Sequence, residues 1–248
     1  SVTIDRTAGQ VVNTSQGKLT PLNLAQRAGL YRGTICKQFA LTTVAWSGIR
    51  EMKLGLDKVT GSEAVSMMIA CGLVGLPTGS LQYNWAIRDT YSYLKLPPAE
   101  SAGLREFYNQ KIAPGLLWAF IRAAVATGGA LYFGPEFTHG ARKCLDSCGV
   151  DAPKPVAQAV GGLASGASFA FMTQWSHNLC LIAGRLATFG EAKEAPYYTT
   201  VSVRTAWREL GPSLFYLNFP ARMAIQAVSL AVLTVADVFH RPDLSIFR

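Results

Sequence analysis

The residues of this chain that could do chemistry are few and far apart. Its three histidines, His139, His177 and His240, fall in separate segments and share no metal-ligand spacing. His177 and Cys180 could hold a metal only if further ligands came from elsewhere. A helical histidine packed against a neighbour needs none of them. Cys144 and Cys148 sit in "CLDSC", which reads as a loop after "EFTHGARK". They form a disulfide in an oxidising compartment or remain two free thiols. Adding His139 to them makes a poorer zinc set still. Cys36, Cys71 and Cys180 lie in apolar runs and read as small packing residues. The glycine-rich "CGLVGLPTG" follows no strand and carries no Lys-Ser/Thr, so a phosphate loop is unsupported. No catalytic or metal constellation emerges, and no enzyme activity or cofactor is expected. The trio Tyr31-Arg32-Gly33 keeps a different chemistry. At a helix start, free N–H groups attract phosphate, glycine permits close approach and Arg32 adds charge. The same trio also reads as an ordinary helix start with a snorkelling arginine.

The elements that would position these residues are strongly apolar. Half of the 248 residues are hydrophobic and only 15% are charged, with a mean hydropathy of +0.21. The charged share lies well below the roughly 25% usual for soluble domains. A formal charge of +8 points to an anionic partner, and lipid head groups fit better than nucleic acid. The basic residues are scattered singly, with no stripe interleaved with aromatics, so no nucleic-acid binding is expected.

Five stretches approach the length of about 20 apolar residues that a bilayer crossing needs. They are Thr34–Ile49, Ser66–Ile87, Pro114–Pro135, Pro155–Gly184 and Pro212–Val238. From them we expect an all-α membrane protein with helices over about 34–54, 62–94, 114–137, 154–189 and 212–239. The fourth of them is uncharged throughout its thirty residues, Pro155 to Gly184, and is crowded with small residues until Trp175, Ser176, His177 and Asn178 interrupt it. Gly162 and Gly166 form a small-xxx-small pair of the kind that lets helices approach closely, and Gly161 widens that face. The buried helices of a large soluble enzyme are the competing explanation. Residues 1–23 are polar and turn-forming, without the apolar region of a signal peptide, and read as an arm. Residues 24–239 form one helical domain, and 240–248 a short tail.

A weak threefold pattern runs through the chain. A glycine- and alanine-rich helix, a polar stretch and a second apolar helix recur. The polar stretches are "LAQRAGLYRG" (24–33), "GLREFYNQKIAPG" (103–115) and "AWRELGPSLFYLNFPAR" (206–222). "LYRG" before a helix, "ASGASFAF" opening one and "YYTTVSVRTAWRELGPSLFY" between two resemble the mitochondrial carrier family. That family is a six-helix barrel of three helix pairs, each joined by a short matrix-side helix. The resemblance covers most of the chain after about residue 20 and rests on order and spacing.

The departures from the family matter more. Carriers bear Pro-x-Asp/Glu-x-x-Lys/Arg at the bend of each odd helix, and no such string occurs here. Counted from Gly166, the family's proline falls on Trp175, its acid on His177 and its base on Cys180, so these are degenerate gate positions. The even-helix ends, "GIREMK" (48–53), "LYFGPEF" (131–137) and "VADVFHR" (235–241), lack the second gate motif. Only 23 residues, a mostly polar stretch, precede the first matrix stretch, so the expectation is that a first transmembrane helix is missing and the barrel incomplete. The resemblance places Cys144 and Cys148 toward the intermembrane space, and Tyr31, Arg32 and Gly33 where carriers bind cardiolipin. We therefore expect a non-transporting, carrier-derived accessory subunit of a large mitochondrial inner-membrane complex, a respiratory-chain complex or ATP synthase. Its partners would be the other subunits and phospholipid. The alternative is a divergent carrier of a small anionic solute, for which Arg122, Arg185 and Arg222 could face a lumen.

Overall fold

Small residues decide where the helices of this chain meet. The computed structural model describes residues 48–49, 51–76, 103–188, 203–208, 210–217 and 219–240. Among the described residues every regular element is helical and no strand occurs. The all-α expectation holds.

Helix α1 (residues 51–60) turns at Gly61, whose φ is 64°, into α2 (Glu63–Leu76). A hydrogen bond of 2.6 Å between the Thr60 and Ser66 hydroxyls closes the corner. Helix α3 (Leu116–Tyr132) is α-helical at both ends and π-helical over Ala124–Gly128. It lies close against α2. A Cβ added at Gly75 would stand 2.1 Å from the Ala123 methyl, and one at Gly128 would stand 2.9 Å from the Met68 Cα. Behind this contact Ile49, Met67, Ala70 and Cys71 form a small core, with Leu131 and Tyr132 packed on it.

The chain bends by 51° at Phe133 into α4 (Gly134–Ser147). This corrects the sequence reading of a loop for Cys144, which lies in the helix, while Cys148 stands in the turn just after it. Pro135 stands in the first turn, where its missing N–H costs nothing, so "GPEFTHGARKCLDS" continues as a helix with no buried residue. Gly149, at φ 75°, ends it: its N–H bonds the Asp146 carbonyl at 3.0 Å, and Val150 N–H bonds that of Leu145 at 3.0 Å. That pair of bonds and the left-handed glycine are the Schellman arrangement.

Helix α5 (Lys154–Met172) also starts with a proline in its first turn. A second bend, of 57°, lies at Thr173 before α6 (Gln174–Thr188). The anticipated helix over 212–239 is shorter at its start. Gly211–Phe215 is a 3-10 turn, and α7 runs over Phe219–His240. Tyr216, at φ −130°, interrupts the helical backbone between them.

Gly162 and Gly166 do what their spacing implies. Added Cβ atoms would meet the Ala231 Cα at 2.8 Å and the Ala227 Cα at 2.7 Å, so α5 and α7 touch backbone to backbone through two small-xxx-small pairs. Gly161 faces the other way, onto Thr138 of α4. Helix α6 lies in the centre. Leu179, Ile182 and Leu186 are buried with Ala206 and Leu214, and Trp118, Trp175 and Leu210 pack around them. The polar stretch 103–115 forms a short helix, Leu104–Phe107, that widens into a π-turn over Tyr108–Ile112. It closes at Gly115 (φ 76°), whose carbonyl lies 3.6 Å from the Cys180 thiol of α6.

No single described helix is both long and apolar enough to cross a membrane. The spans anticipated at 114–137 and 154–189 are instead two bent pairs, α3 with α4 and α5 with α6, which meet that length and apolarity only together.

Candidate functional site

The bend at Thr173 frees backbone groups inside an apolar core, and each needs a partner. Thr173, at φ −110°, ends α5 while its hydroxyl donates to the Phe169 carbonyl at 2.7 Å. The Ser176 hydroxyl donates to the Thr173 carbonyl at 2.9 Å. The guanidinium of Arg222, in the first turn of α7, reaches across to fill the gap. Its Nη1 donates to the Ala170 carbonyl at 2.9 Å and to Gln174 Oε1 at 3.1 Å, and its Nη2 donates to the Thr173 hydroxyl.

The network extends beyond the arginine. Gln174 Nε2 donates to Asn178 Oδ1 at 3.3 Å and to the Leu217 carbonyl. Asn178 Nδ2 donates to the Leu214 carbonyl at 2.7 Å. Four stretches are thus tied at one point: the end of α5, the start of α6, the turn 211–217 and the start of α7. Gln174, Ser176 and Asn178 are wholly buried, and Arg222 is only 6% exposed. Charge-assisted hydrogen bonds in such a setting are the strong ones, so this network is a clamp on the bend. These bonds run between a guanidinium, amides, hydroxyls and backbone carbonyls. Their chemistry is holding.

Two of the degenerate gate positions lie inside this region. His177 is buried one turn beyond Thr173, its N–H bonded to the Thr173 carbonyl at 3.1 Å. Cys180 is buried against Gly115. Trp175 lies at the rim, where its indole N–H donates to the Met172 carbonyl at 3.0 Å and its ring meets Trp118 edge to face at 5.7 Å. Cys144 and Cys148 are exposed free thiols at the end of α4, and His139 is exposed on the same helix. Tyr31, Arg32 and Gly33 lie outside the described residues.

Sequence reasoning assigned Arg222 to a possible lumen and passed over Thr173 and Gln174. The signal was present. A lone cation in an apolar helix requires a polar counterpart, and the polar break is where one stands.

A second, smaller polar cluster was missed as well. Lys53, in the "GIREMK" stretch, pairs with Asp57 at 2.9 Å and with Glu63 at 3.0 Å, bridging α1 and α2. Burial opposes the Lys53 charge, but the hydrogen bonds to Asp57 and Glu63 outweigh it and raise its pKa above the ordinary 10.5. The hydrogen bond from Lys53, followed by one from Ser66, holds the Asp57 carboxyl below its ordinary 3.8.

Comparison with known proteins finds no family model, no curated protein and no solved structure that matches this chain.

Proposed function

We propose that this chain is a non-transporting, carrier-derived accessory subunit of a large assembly of the mitochondrial inner membrane, a respiratory-chain complex or ATP synthase. One observation carries the reading: the bend that a carrier would use as a gate is filled and clamped by the protein's own side chains. A transporter needs a site open to solute at this level and charge pairs that exchange between two states. Here the Arg222 guanidinium ties Ala170, Thr173 and Gln174 together, and the side chains of Thr173, Gln174 and Asn178 are buried. The two bent helix pairs have the length and apolarity for an inner-membrane setting. The carrier ancestry rests on the resemblance of the three polar stretches and their order. Phospholipid is the expected companion, with Tyr31, Arg32 and Gly33 proposed as a cardiolipin contact.

A divergent carrier for a small anion is the competing reading, and the position of Arg222 at the bend favours it. Two experiments separate them. Blue-native separation of inner membranes should place the chain in a respiratory or ATP synthase complex. Reconstituted in proteoliposomes, the chain should exchange no nucleotide, carboxylate or phosphate. Saturable exchange would overturn the subunit reading.

A further inference from the structure

The outer face of α5 has an order opposite to that of its inner faces. Val156, Val160, Leu163 and Phe171 recur at helical spacing along one side and are 38–59% exposed. Helix α7 continues this surface with Val228 at 56% and Val232 at 62% exposed. The contacts of Gly162 with Ala231 and of Gly166 with Ala227 show that the two helices run antiparallel, which sets Val228 and Val232 at about the level of Leu163. The Phe171 and Phe219 rings meet edge to face at 5.4 Å and join the two helices at one end.

We propose that this face, made by Val156, Val160, Leu163 and Phe171 of α5 with Val228 and Val232 of α7, is covered by phospholipid acyl chains. The proposal rests on the membrane reading above and adds to it which surface meets lipid. Three features select acyl chains over a partner's helix. Helix–helix contacts in membranes use small residues for close approach, and here Gly161, Gly162 and Gly166 are all turned inward onto α4 and α7. The side chains left outside are mainly branched and aromatic, with Ala164 and Ser168 beside them and no glycine, and they suit a fluid hydrocarbon that needs no interlocking surface. The stretch is also free of charge from Pro155 to Gly184, while the exposed Lys154 stands at its start, where a cation reaches lipid phosphates. At 1.5 Å per residue, Val156 to Phe171 spans about 23 Å, most of a hydrocarbon core about 30 Å thick.

The test uses the full chain inserted into phosphatidylcholine vesicles brominated near the middle of the acyl chain. Leu163→Trp, Val228→Trp and Val232→Trp each add one indole on the face. Val59→Trp adds one on α1 at a position 83% exposed. All four sites are at the surface, so folding should survive, and the three face variants report independently. The added emission at 163, 228 and 232 should be largely lost to the brominated lipid and unaffected by aqueous iodide, with the reverse at 59. Vesicle-bound protein whose face indoles respond to iodide would overturn the proposal and leave the membrane reading standing. Face indoles that respond to neither quencher would overturn it in favour of a protein partner. Failure of the chain to float with the vesicles would overturn both.

Discussion

Helices α5 and α6 share the uncharged stretch Pro155–Gly184, yet they are built on opposite plans. Helix α5 buries all three of its glycines, Gly161, Gly162 and Gly166, with Ser165, and leaves Leu163 and Phe171 outside together with Ala164 and Ser168. Helix α6 buries large and polar residues alike: Leu179, Ile182 and Leu186 with Gln174, His177 and Asn178. The difference lies in what surrounds each. Helix α5 meets α4 and α7 along narrow lines, where only the removal of side chains allows approach. Helix α6 meets the turns 103–115 and 211–217, whose irregular backbones leave carbonyls that polar side chains must satisfy. Small residues make the first contact, and hydrogen bonds make the second.

That contrast can be broken from either side. The largest expected effect is Gly166→Leu, since even a Cβ there would lie 2.7 Å from the Ala227 Cα and backbone cannot yield as a side chain does. A loss of about 3 kcal/mol or more is expected from such overpacking, seen as a lowered unfolding midpoint. Next comes Arg222→Ala, which leaves the Ala170 carbonyl, the Thr173 hydroxyl and Gln174 Oε1 short of a donor in a buried site. Its cost should be about 2–3 kcal/mol, with faster hydrogen exchange at residues 170–178. An unchanged exchange rate there would show that the clamp does not hold the bend.

Lys53→Met tests the smaller polar cluster and should cost about 1 kcal/mol, because its two carboxylate partners are only half-buried and can recover part of the lost bonding from water. The pH dependence follows from the two shifts. Asp57 titrates lower in the folded chain, so its contribution is complete above the ordinary 3.8 and is lost as pH falls through the lowered value. Lys53 titrates higher, so its contribution is complete below 10.5 and is lost as pH rises through the raised value. The stability difference between the parent and Lys53→Met should therefore be flat between these limits and shrink beyond either one. The smallest effect belongs to Leu163→Ala on the outer face of α5, expected within about 0.5 kcal/mol in detergent. A loss as large as that of Gly166→Leu would mean that the outer face is packed against the protein itself.

Much of this arrangement was legible in the residues. Helical class followed from the length and spacing of the apolar runs. The close contact at Gly162 and Gly166 followed from two glycines one turn apart, and the break near Trp175–Asn178 from four consecutive residues that interrupt an apolar helix. Those features are local, set by what each side chain allows the backbone beside it to do. The rest was decided by tertiary structure. The bend lies at Thr173, just ahead of the expected positions, because Arg222, 49 residues away, supplies the donor that this carbonyl-rich corner needs. Cys144 joins a helix because Pro135 and Gly149 bound it, where composition alone suggested a loop. Lys53 finds Glu63 only because Gly61 turns the chain between them. A hydrogen bond or ion pair between distant residues has no periodicity to betray it. It exists only once packing has brought donor and acceptor within about 3 Å and excluded the water that would otherwise have served both.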